Sequence, residues 1–112
     1  MTDIIMNVEV LLERGGEADD VLRAVVSALV DEPEVVWAGV AFVEDAALVV
    51  GPAAGEPDPE LRACIPISFQ GSSVGELWVD GELPANDLDR VAALIAPLVL
   101  IGWDTGGEAW EP

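Results

Sequence analysis

Residues able to bind or react with a small molecule occur at alternate positions along stretches whose composition is typical of β-strands. Because successive side chains of a strand point to opposite faces, residues two apart share a face. One face gathers two indoles, a thiol, a hydroxyl and a carboxylate, a mixed lining typical of small-molecule sites. Its residues are Trp37, Cys64, Ser68, Glu76 and Trp78. The pattern predicts a ligand-binding sheet face, although a half-exposed face of amphipathic residues, or a face covered by the tail or by a partner, would carry similar residues.

Cys64 is the most reactive of these side chains, and it is the only cysteine of the chain. Arg62 lies two residues away on the same side of the strand, where a cation favours the thiolate. A lone strand cysteine with no second thiol is nevertheless more typical of an inert, small apolar residue. We therefore predict no catalytic residue and keep a redox role of Cys64 as an alternative.

Several kinds of chemistry are excluded because the residues they need are absent. The 112 residues include no His, and all four basic residues are Arg. Without His and Lys, the chain cannot form a Ser-His-Asp triad, a Schiff base or a phosphate-binding P-loop. One cysteine makes neither an intrachain disulfide nor a cysteine-rich zinc site. The acidic stretches lack the ligand spacing of an EF-hand, so we expect no metal and no cofactor.

The net charge excludes a second group of partners. The chain has 22 Asp and Glu against 4 basic residues, a formal net charge of −18. Such a field repels phosphate groups, so neither nucleic acid nor a membrane is an expected partner. A mean hydropathy of +0.43 argues against a disordered acidic tail and for an ordinary globular core. The acidic surface is consistent with adaptation to salt or with a compositional bias of the genome.

Apolar periodicity predicts two helices before the strands and one after them. Residues 4–14 carry apolar side chains at helical spacing, although residues 6–10 also alternate like a strand. Residues 21–30 form a clearer apolar stripe, which ends before Pro33. A third stripe runs from Leu88 to Leu98, and Pro97 within it predicts a kink or an extended segment over 98–101.

Four β-rich segments lie between the second and third helices. Residues 35–43 and 47–50 are predicted strands, and residues 51–60, with three prolines and two glycines, are a predicted loop. Residues 61–69 and 73–79 are predicted to form a hairpin, followed by a loop over 80–86. Alternation on the last strand places Val74 on the same face as Glu76 and Trp78. The order α-α-β-β-β-β-α predicts an α+β fold, an antiparallel β-sheet flanked by helices.

The length of the chain supports a single domain, predicted over residues 1–102, with residues 103–112 as a C-terminal tail. The tail carries Trp103 and Trp110, and we predict that it turns at Gly106-Gly107 and folds back over the sheet.

The N-terminus lacks the basic region of a signal peptide, and the longest apolar stretch is too short to span a membrane. The expected location is the cytoplasm.

Two segments resemble parts of a GAF domain, particularly GAF proteins similar to free methionine-R-sulfoxide reductases. Residues 36–55, VWAGVAFVEDAALVVGPAAG, match a W-x-G-x-x-x-V-E strand followed by L-V-x-G-P-x-x-G. Residues 64–99 match an I-P-I strand, a glycine turn, a V-G-E-L-x-V-D strand and a helix that begins with acidic residues. The resemblance covers most of residues 8–100. It implies a helix-flanked antiparallel sheet, a homodimer formed through terminal helices and a small-ligand or sensory role.

The chain also departs from this family in a way that bears on activity. In the reductase-like proteins, a long segment with a lid and the catalytic cysteines lies between the G-P loop and the I-P-I strand, where this chain has only residues 56–62. No residue matches those cysteine motifs, because Cys64 lies on the strand itself. The resemblance therefore carries over no reductase activity to any residue present.

We interpret the chain as a non-catalytic module that binds a small molecule or acts in sensing and interaction, and that forms a homodimer. The first apolar stripe is the predicted dimer contact. It comprises Ile4, Ile5, Val8, Leu11 and Leu12. Two alternatives stay open: a divergent reductase-like enzyme that uses Cys64, and a purely structural dimerisation domain.

Overall fold

Two helices, four strands and a long final helix follow one another in the computed structural model, which describes the backbone of residues 4–44 and 47–109 and the side chains of residues 4–43 and 47–99. Helices α1 (Ile4–Arg14) and α2 (Ala18–Val30) come first, followed by strands β1 (Val35–Glu44) and β2 (Ala47–Gly55). A 3₁₀ turn, Pro59–Leu61, leads to β3 (Arg62–Phe69), β4 (Ser72–Gly81) and α3 (Ala85–Ala109). The predicted element order and α+β class are confirmed.

The four strands form one antiparallel sheet in the order β2-β1-β4-β3, so β1 and β4 are central. Alternate side chains of the strands pack with the helices in a single core, which includes Val40, Ile67, Leu77 and Val79. Across the strands these residues stand opposite one another, since Val40 pairs with Leu77 and Ala38 pairs with Val79. The helices therefore cover one face of the sheet. The other face, called the outer face below, carries the candidate site.

The apolar stripe of α1 packs mainly into the chain's own core. Ile4 and Val8 are buried, and Ile5, Leu11 and Leu12 pack partly against the core. This burial favours the helix over the alternating strand that residues 6–10 also permit, because tertiary packing decides the conformation of an ambiguous segment. The stripe is thus not a free surface. The large apolar side chains that α1 exposes are Met6, at 61%, and Val10, at 44%.

The predicted loop over residues 51–60 is wrong at its beginning, because β2 extends to Gly55. Ala53 pairs with Gly39, and Gly55 pairs with Trp37. The register shifts between these pairs and the pairing of Ala41 with Val50, which places Gly51 and Pro52 at an irregularity. Because β2 is an edge strand, a proline there costs no ladder hydrogen bond.

A tight turn and a register shift set the pairing of β3 with β4. Gln70 and Gly71 both have positive φ, 52° and 83°, as a two-residue type I′ hairpin requires. The register then shifts between Ile67, which pairs with Gly75, and Ser68, which pairs with Ser73. Val74 is the extra residue, and it is buried in the core. The prediction that Val74 shares a face with Glu76 and Trp78 is therefore wrong.

Helix α3 continues through Pro97 without an extended segment, so the predicted strand-like alternative over 98–101 is wrong. Ile95 and Val99 are fully buried on either side of the proline. Their burial against the sheet offsets the one backbone hydrogen bond that proline removes. The helix also runs through Gly106-Gly107, where a turn was predicted. The side chains of Trp103 and Trp110 lie outside the described residues, so their cover of the sheet stays a prediction.

Within the part of the chain that the structure describes, no helix combines the length and the apolar character that a membrane span needs.

Candidate functional site

A buried carboxylate anchors the outer face. Asp80, near the end of β4, is fully buried and is the only buried charged residue among the described side chains. Its Oδ1 accepts a hydrogen bond from Arg62 Nε at 2.8 Å, and its Oδ2 accepts one from Arg62 Nη2 at 2.9 Å. The backbone N–H of Asp58 donates a third hydrogen bond to Oδ2 at 2.7 Å. Asp80 therefore fastens the short β2–β3 connection to the sheet.

The same contacts shift the ionisation of the carboxyl. The hydrogen bonds from Arg62, together with the Asp58 N–H and the arginine charge, hold the pKa of Asp80 below its usual range, against a desolvation that raises it. A carboxyl with a lowered pKa in the folded state stabilises the fold above its ordinary pKa. Asp80 is consequently ionised at neutral pH and forms a bidentate ion pair with Arg62.

The Arg62 guanidinium stacks between two indoles. Its Cζ lies 4.6 Å from the centroid of Trp37 and 5.2 Å from that of Trp78. Both distances are within the range of cation–π attraction. We call these four residues, Arg62, Asp80, Trp37 and Trp78, the Arg62 cluster. The cation occupies the space between the tryptophans, so the cluster is an aromatic cage already filled by the chain's own arginine.

Trp37 can lie flat on the sheet because Gly39 has no side chain. A Cβ built on Gly39 would stand 2.6 Å from Trp37 Cη2 and 2.8 Å from Cζ2, closer than any real contact. Trp37 is only 7% exposed, although it lies on the face away from the helices. The glycine therefore leaves the space that the Trp37 indole occupies. The indole in turn forms one wall of the cage around Arg62.

A second polar contact lies beside the cluster on β4. The indole Nε1–H of Trp78 donates a hydrogen bond of 2.7 Å to Glu76 Oε1. Glu76 stands between Ala41 of β1 and Pro66 of β3, which are its Cα partners in the two neighbouring strands. This bond holds the Glu76 carboxylate in place on the outer face, next to the Arg62 cluster.

Cys64 is exposed and stands opposite Trp78 in the sheet. The pKa of its thiol is raised, first by local desolvation and then by the Glu76 carboxylate, and the opposing effect of Arg62 is smaller. The arginine thus favours the thiolate, as its spacing suggested, but its effect does not prevail. At neutral pH, Cys64 is a protonated thiol with low nucleophilicity.

This thiol should react slowly with iodoacetamide at pH 7, with a rate that still rises above pH 9. Replacing Glu76 with Gln removes a negative charge that raises the pKa, so the Glu76→Gln variant should react severalfold faster at pH 8. The rates follow from mass spectrometry, which is unambiguous for a single cysteine. Glu13→Gln, a remote exposed position, is the control and should react as wild type does. A rate that levels off below pH 7 would instead show an activated thiolate.

The structure brings four of the five predicted site residues together. Trp37, Cys64, Glu76 and Trp78 share the outer face, as the alternation predicted. Ser68 is exposed on the same face of β3, as predicted, but it lies beyond the register shift, where it pairs with Ser73. Two residues of the site were not predicted. Arg62 was placed on the outer face only as a neighbour of Cys64, and Asp80 was assigned to a loop.

No group of three or more Cys, His, Asp or Glu side chains in the described part of the chain is arranged to hold a metal ion. The Asp80 carboxylate accepts three hydrogen bonds from the protein. Glu76 Oε1 accepts the hydrogen bond from the Trp78 indole. Its other carboxylate oxygen can accept a hydrogen bond from a ligand. The arrangement suits recognition of a ligand by charge and apolar contact.

Comparison with known proteins gives matches in structure but none in sequence. No family model and no curated protein matches the chain. The structure of fRMsr of Staphylococcus aureus in complex with substrate has a TM-score of 0.68 at 15% identity, over 86% of this chain and 93% of that one. A type II free methionine-R-sulfoxide reductase from Thermoplasma acidophilum gives 0.63 at 20% identity, over 80% and 94%.

A domain of a phosphotransferase has the same fold. The GAF domain from Acinetobacter phosphoenolpyruvate-protein phosphotransferase has a TM-score of 0.67 at 11% identity, over 96% of this chain and 99% of that domain. At identities this low, structural similarity establishes the fold but not the function, which has to be argued from the residues of the site. The chain has a GAF-like fold, related in structure to that of free methionine-R-sulfoxide reductases.

Proposed function

We propose that the chain is a non-catalytic GAF-like module that binds a small molecule on the outer face of its sheet. The observation that carries this proposal is the Arg62 cluster, in which a buried ion pair and two indoles form a preorganised surface beside the oriented Glu76 carboxylate. Rigid polar groups set among aromatic side chains are what small-ligand sites use for orientation and contact.

The state of Cys64 supports the absence of catalysis. When a thiol reduces a sulfoxide, the oxygen passes to the thiol sulfur as a sulfenic acid, and the sulfide is released. A second thiol must then condense with the sulfenic acid to restore the first. Cys64 is the only cysteine of the chain, and its pKa is raised. It therefore lacks both the thiolate character and the partner thiol that turnover needs.

The proposal is tested by incubating the protein with free methionine-R-sulfoxide and dithiothreitol. We expect no methionine above the level of a Cys64→Ser variant, and no oxidised form of Cys64 in the mass spectrum. Methionine produced by the wild type and not by Cys64→Ser would establish the enzymatic alternative instead.

Ligand binding is tested separately by native mass spectrometry of the protein as purified from cells. A retained small molecule should be present on the wild type and lost from a Trp78→Ala variant, in which one wall of the cage is removed. The expected control is Leu61→Ala, another exposed apolar position, which should keep the ligand. An adduct that persists in Trp78→Ala would place the ligand elsewhere.

We further propose that the module is a homodimer that associates through α1. The helix exposes Met6 and Val10. A groove of about 410 Å³ adjoins Val10 and runs between α1 and α2, with Leu11 and Ala28 in its lining. Exposed apolar side chains next to an apolar groove are typical of association surfaces. In a symmetric dimer, each copy offers its exposed side chains and its groove to the other.

A Met6→Glu/Val10→Glu variant should therefore be a monomer of 11.7 kDa, while the wild type has twice this mass. The reason is that each introduced carboxylate would lose its hydration in the contact and face an acidic partner. Light scattering at micromolar concentration gives the masses. Val36→Glu, an exposed position on β1, is the matched control and should remain a dimer. A monomeric wild type contradicts the proposal.

A further inference from the structure

The outer face presents one carboxylate, that of Glu76, which forms no ion pair with any described residue. The ion pairs among the described residues join Arg62 to Asp80, Arg90 to Glu9, and Arg23 to Asp19 and Asp20. None includes Glu76, whose carboxylate is held by the Trp78 indole N–H. A neutral donor orients this charge without cancelling it. The Glu76 carboxylate is therefore available to a positively charged group.

The same face disfavours an anion. Among the described side chains, Arg62 is the only cation on this face, and both Nε and Nη2 of its guanidinium donate to Asp80. The net charge of −18 repels anions from the whole surface and attracts cations toward it. A carboxylate or phosphate ligand would have to compete with the buried Asp80 for the guanidinium, and the charge of the buried carboxylate would then be unpaired.

Exposed apolar side chains lie at the β2 edge of the same face. Ala41 is the Cα partner of Glu76 on one side and of Val50 on the other, so the three share the outer face. Val50 is 45% exposed, and Leu48, one pair further along this face, is 41% exposed. With strands about 4.8 Å apart, Val50 lies roughly 10 Å from Glu76. Ala41 itself is fully buried between them, so the exposed apolar surface begins at Val50, across one strand from the carboxylate.

We infer that the ligand of the outer face is a small amphiphilic organic cation, with its ammonium group at Glu76 and its apolar body reaching across β1 to Val50 and Leu48. The inference rests on the ligand-binding role proposed above and adds the chemical class of the ligand. The Trp78 indole, which lies beside Glu76, contributes aromatic contact to the cationic head. The acidic surface then serves to concentrate cations near the face.

The inference is tested by titrating ¹⁵N-labelled protein at low salt with hexylammonium, hexanol and hexanoate, three probes that differ only in the head group. The Trp78 indole N–H and the backbone amides of residues 41, 50 and 76 report on the face. We expect hexylammonium to shift these signals with a Kd at least tenfold below that of hexanol, and hexanoate to leave them unchanged.

Two variants separate the head from the body. Glu76→Gln keeps an oxygen for the indole and removes the charge, so it should raise the Kd of hexylammonium to that of hexanol, while Glu13→Gln, which removes a charge elsewhere, should not. From ethylammonium to hexylammonium the affinity should increase in the wild type, and Val50→Ser should abolish most of that increase.

The possible outcomes distinguish the inference from the function on which it rests. Equal binding of hexanol or hexanoate at the same signals overturns the cationic class and leaves a small-molecule site on the outer face. Equal loss of affinity in Glu76→Gln and Glu13→Gln also overturns it, since the attraction is then a property of the whole surface. If no probe shifts the outer-face signals, the inference is wrong, and native mass spectrometry alone decides the proposed function.

Discussion

Replacing Arg62 with Met should reduce the free energy of unfolding more than removal of any of the other three arginines, because it leaves the buried Asp80 charge without its partner. Asp80 is fully buried, while the side chain of Arg62 is 22% exposed. In the variant, the Asp80 charge keeps one backbone donor, from Asp58, and loses both guanidinium donors. The two indoles also lose the cation between them. The predicted loss of stability arises mainly because the Asp80 charge stays buried without its partner, and less from the lost attraction between Asp80 and Arg62.

Urea unfolding at pH 7 measures this loss, and two other variants show its origin. An Arg62→Met/Asp80→Leu double variant should recover most of the stability, because it leaves no buried charge without a partner. Arg23→Met removes an arginine whose ion pair with Asp19 is exposed, and should cost less than about 1 kcal/mol. A double variant as unstable as the single one would show that packing between the indoles, and not the charge of Asp80, stabilises this region.

The same pair predicts an acid limb of the stability curve. Because the pKa of Asp80 is lowered in the folded state, its contribution is complete above the ordinary aspartate pKa of 3.8 and is lost as the pH falls through the folded value. The difference in unfolding free energy between the wild type and Asp80→Asn should therefore be constant from pH 7 to 5 and shrink below pH 4. A difference that is independent of pH down to 2 contradicts a role of the ionised carboxylate.

Much of the fold was predictable because hydrophobic alternation assigned the strand faces correctly, with the exception of Val74. The apolar set Ile65, Ile67 and Leu77 identified the core side, and Trp37 and Cys64 followed on the outer side. Counting residues back from the Gln70-Gly71 turn alone would have put Cys64 opposite Leu77. The extra residue at Val74 shifts the register and places Cys64 opposite Trp78. Burial of one face thus determines register more strongly than turn length does.

The centre of the site was not predictable by the same means. Asp80 follows an apolar strand, and an acidic residue before glycine is a typical loop signal, so the pattern assigned it to a loop. Its burial depends on Arg62, which lies 18 residues away in sequence. A buried charge is compatible with the core only when its partner is known, and sequence periodicity does not report such pairs. The β2 extension through Pro52 was missed for a related reason, since proline signals a loop unless the strand is known to be an edge.

Salt should raise the melting temperature of the protein, because most of its charges repel one another. A formal net charge of −18 is carried by a domain with a radius of gyration of 13.3 Å, comparable to the screening length of about 10 Å at 0.1 M salt. The exposed ion pairs of Arg23 and Arg90 work in the opposite direction, since salt weakens them, but each contributes less than about 1 kcal/mol. The repulsion among the acids therefore dominates the response.

From 10 mM to 0.5 M NaCl the melting temperature should rise on the order of 5–10 °C, which corresponds to about 1–2 kcal/mol for a domain of this size. Screening is insensitive to the identity of the ions, so guanidinium chloride below 0.2 M, although a denaturant, should stabilise the protein nearly as well as NaCl does. An increase seen with sodium sulfate and not with dilute guanidinium chloride would point to exclusion of the salt from the surface instead. A melting temperature that is flat or falls with NaCl would show that the acids are compensated locally. In that case the attraction of cations to Glu76 could not depend on the field of the whole surface, and the carboxylate itself would have to supply it.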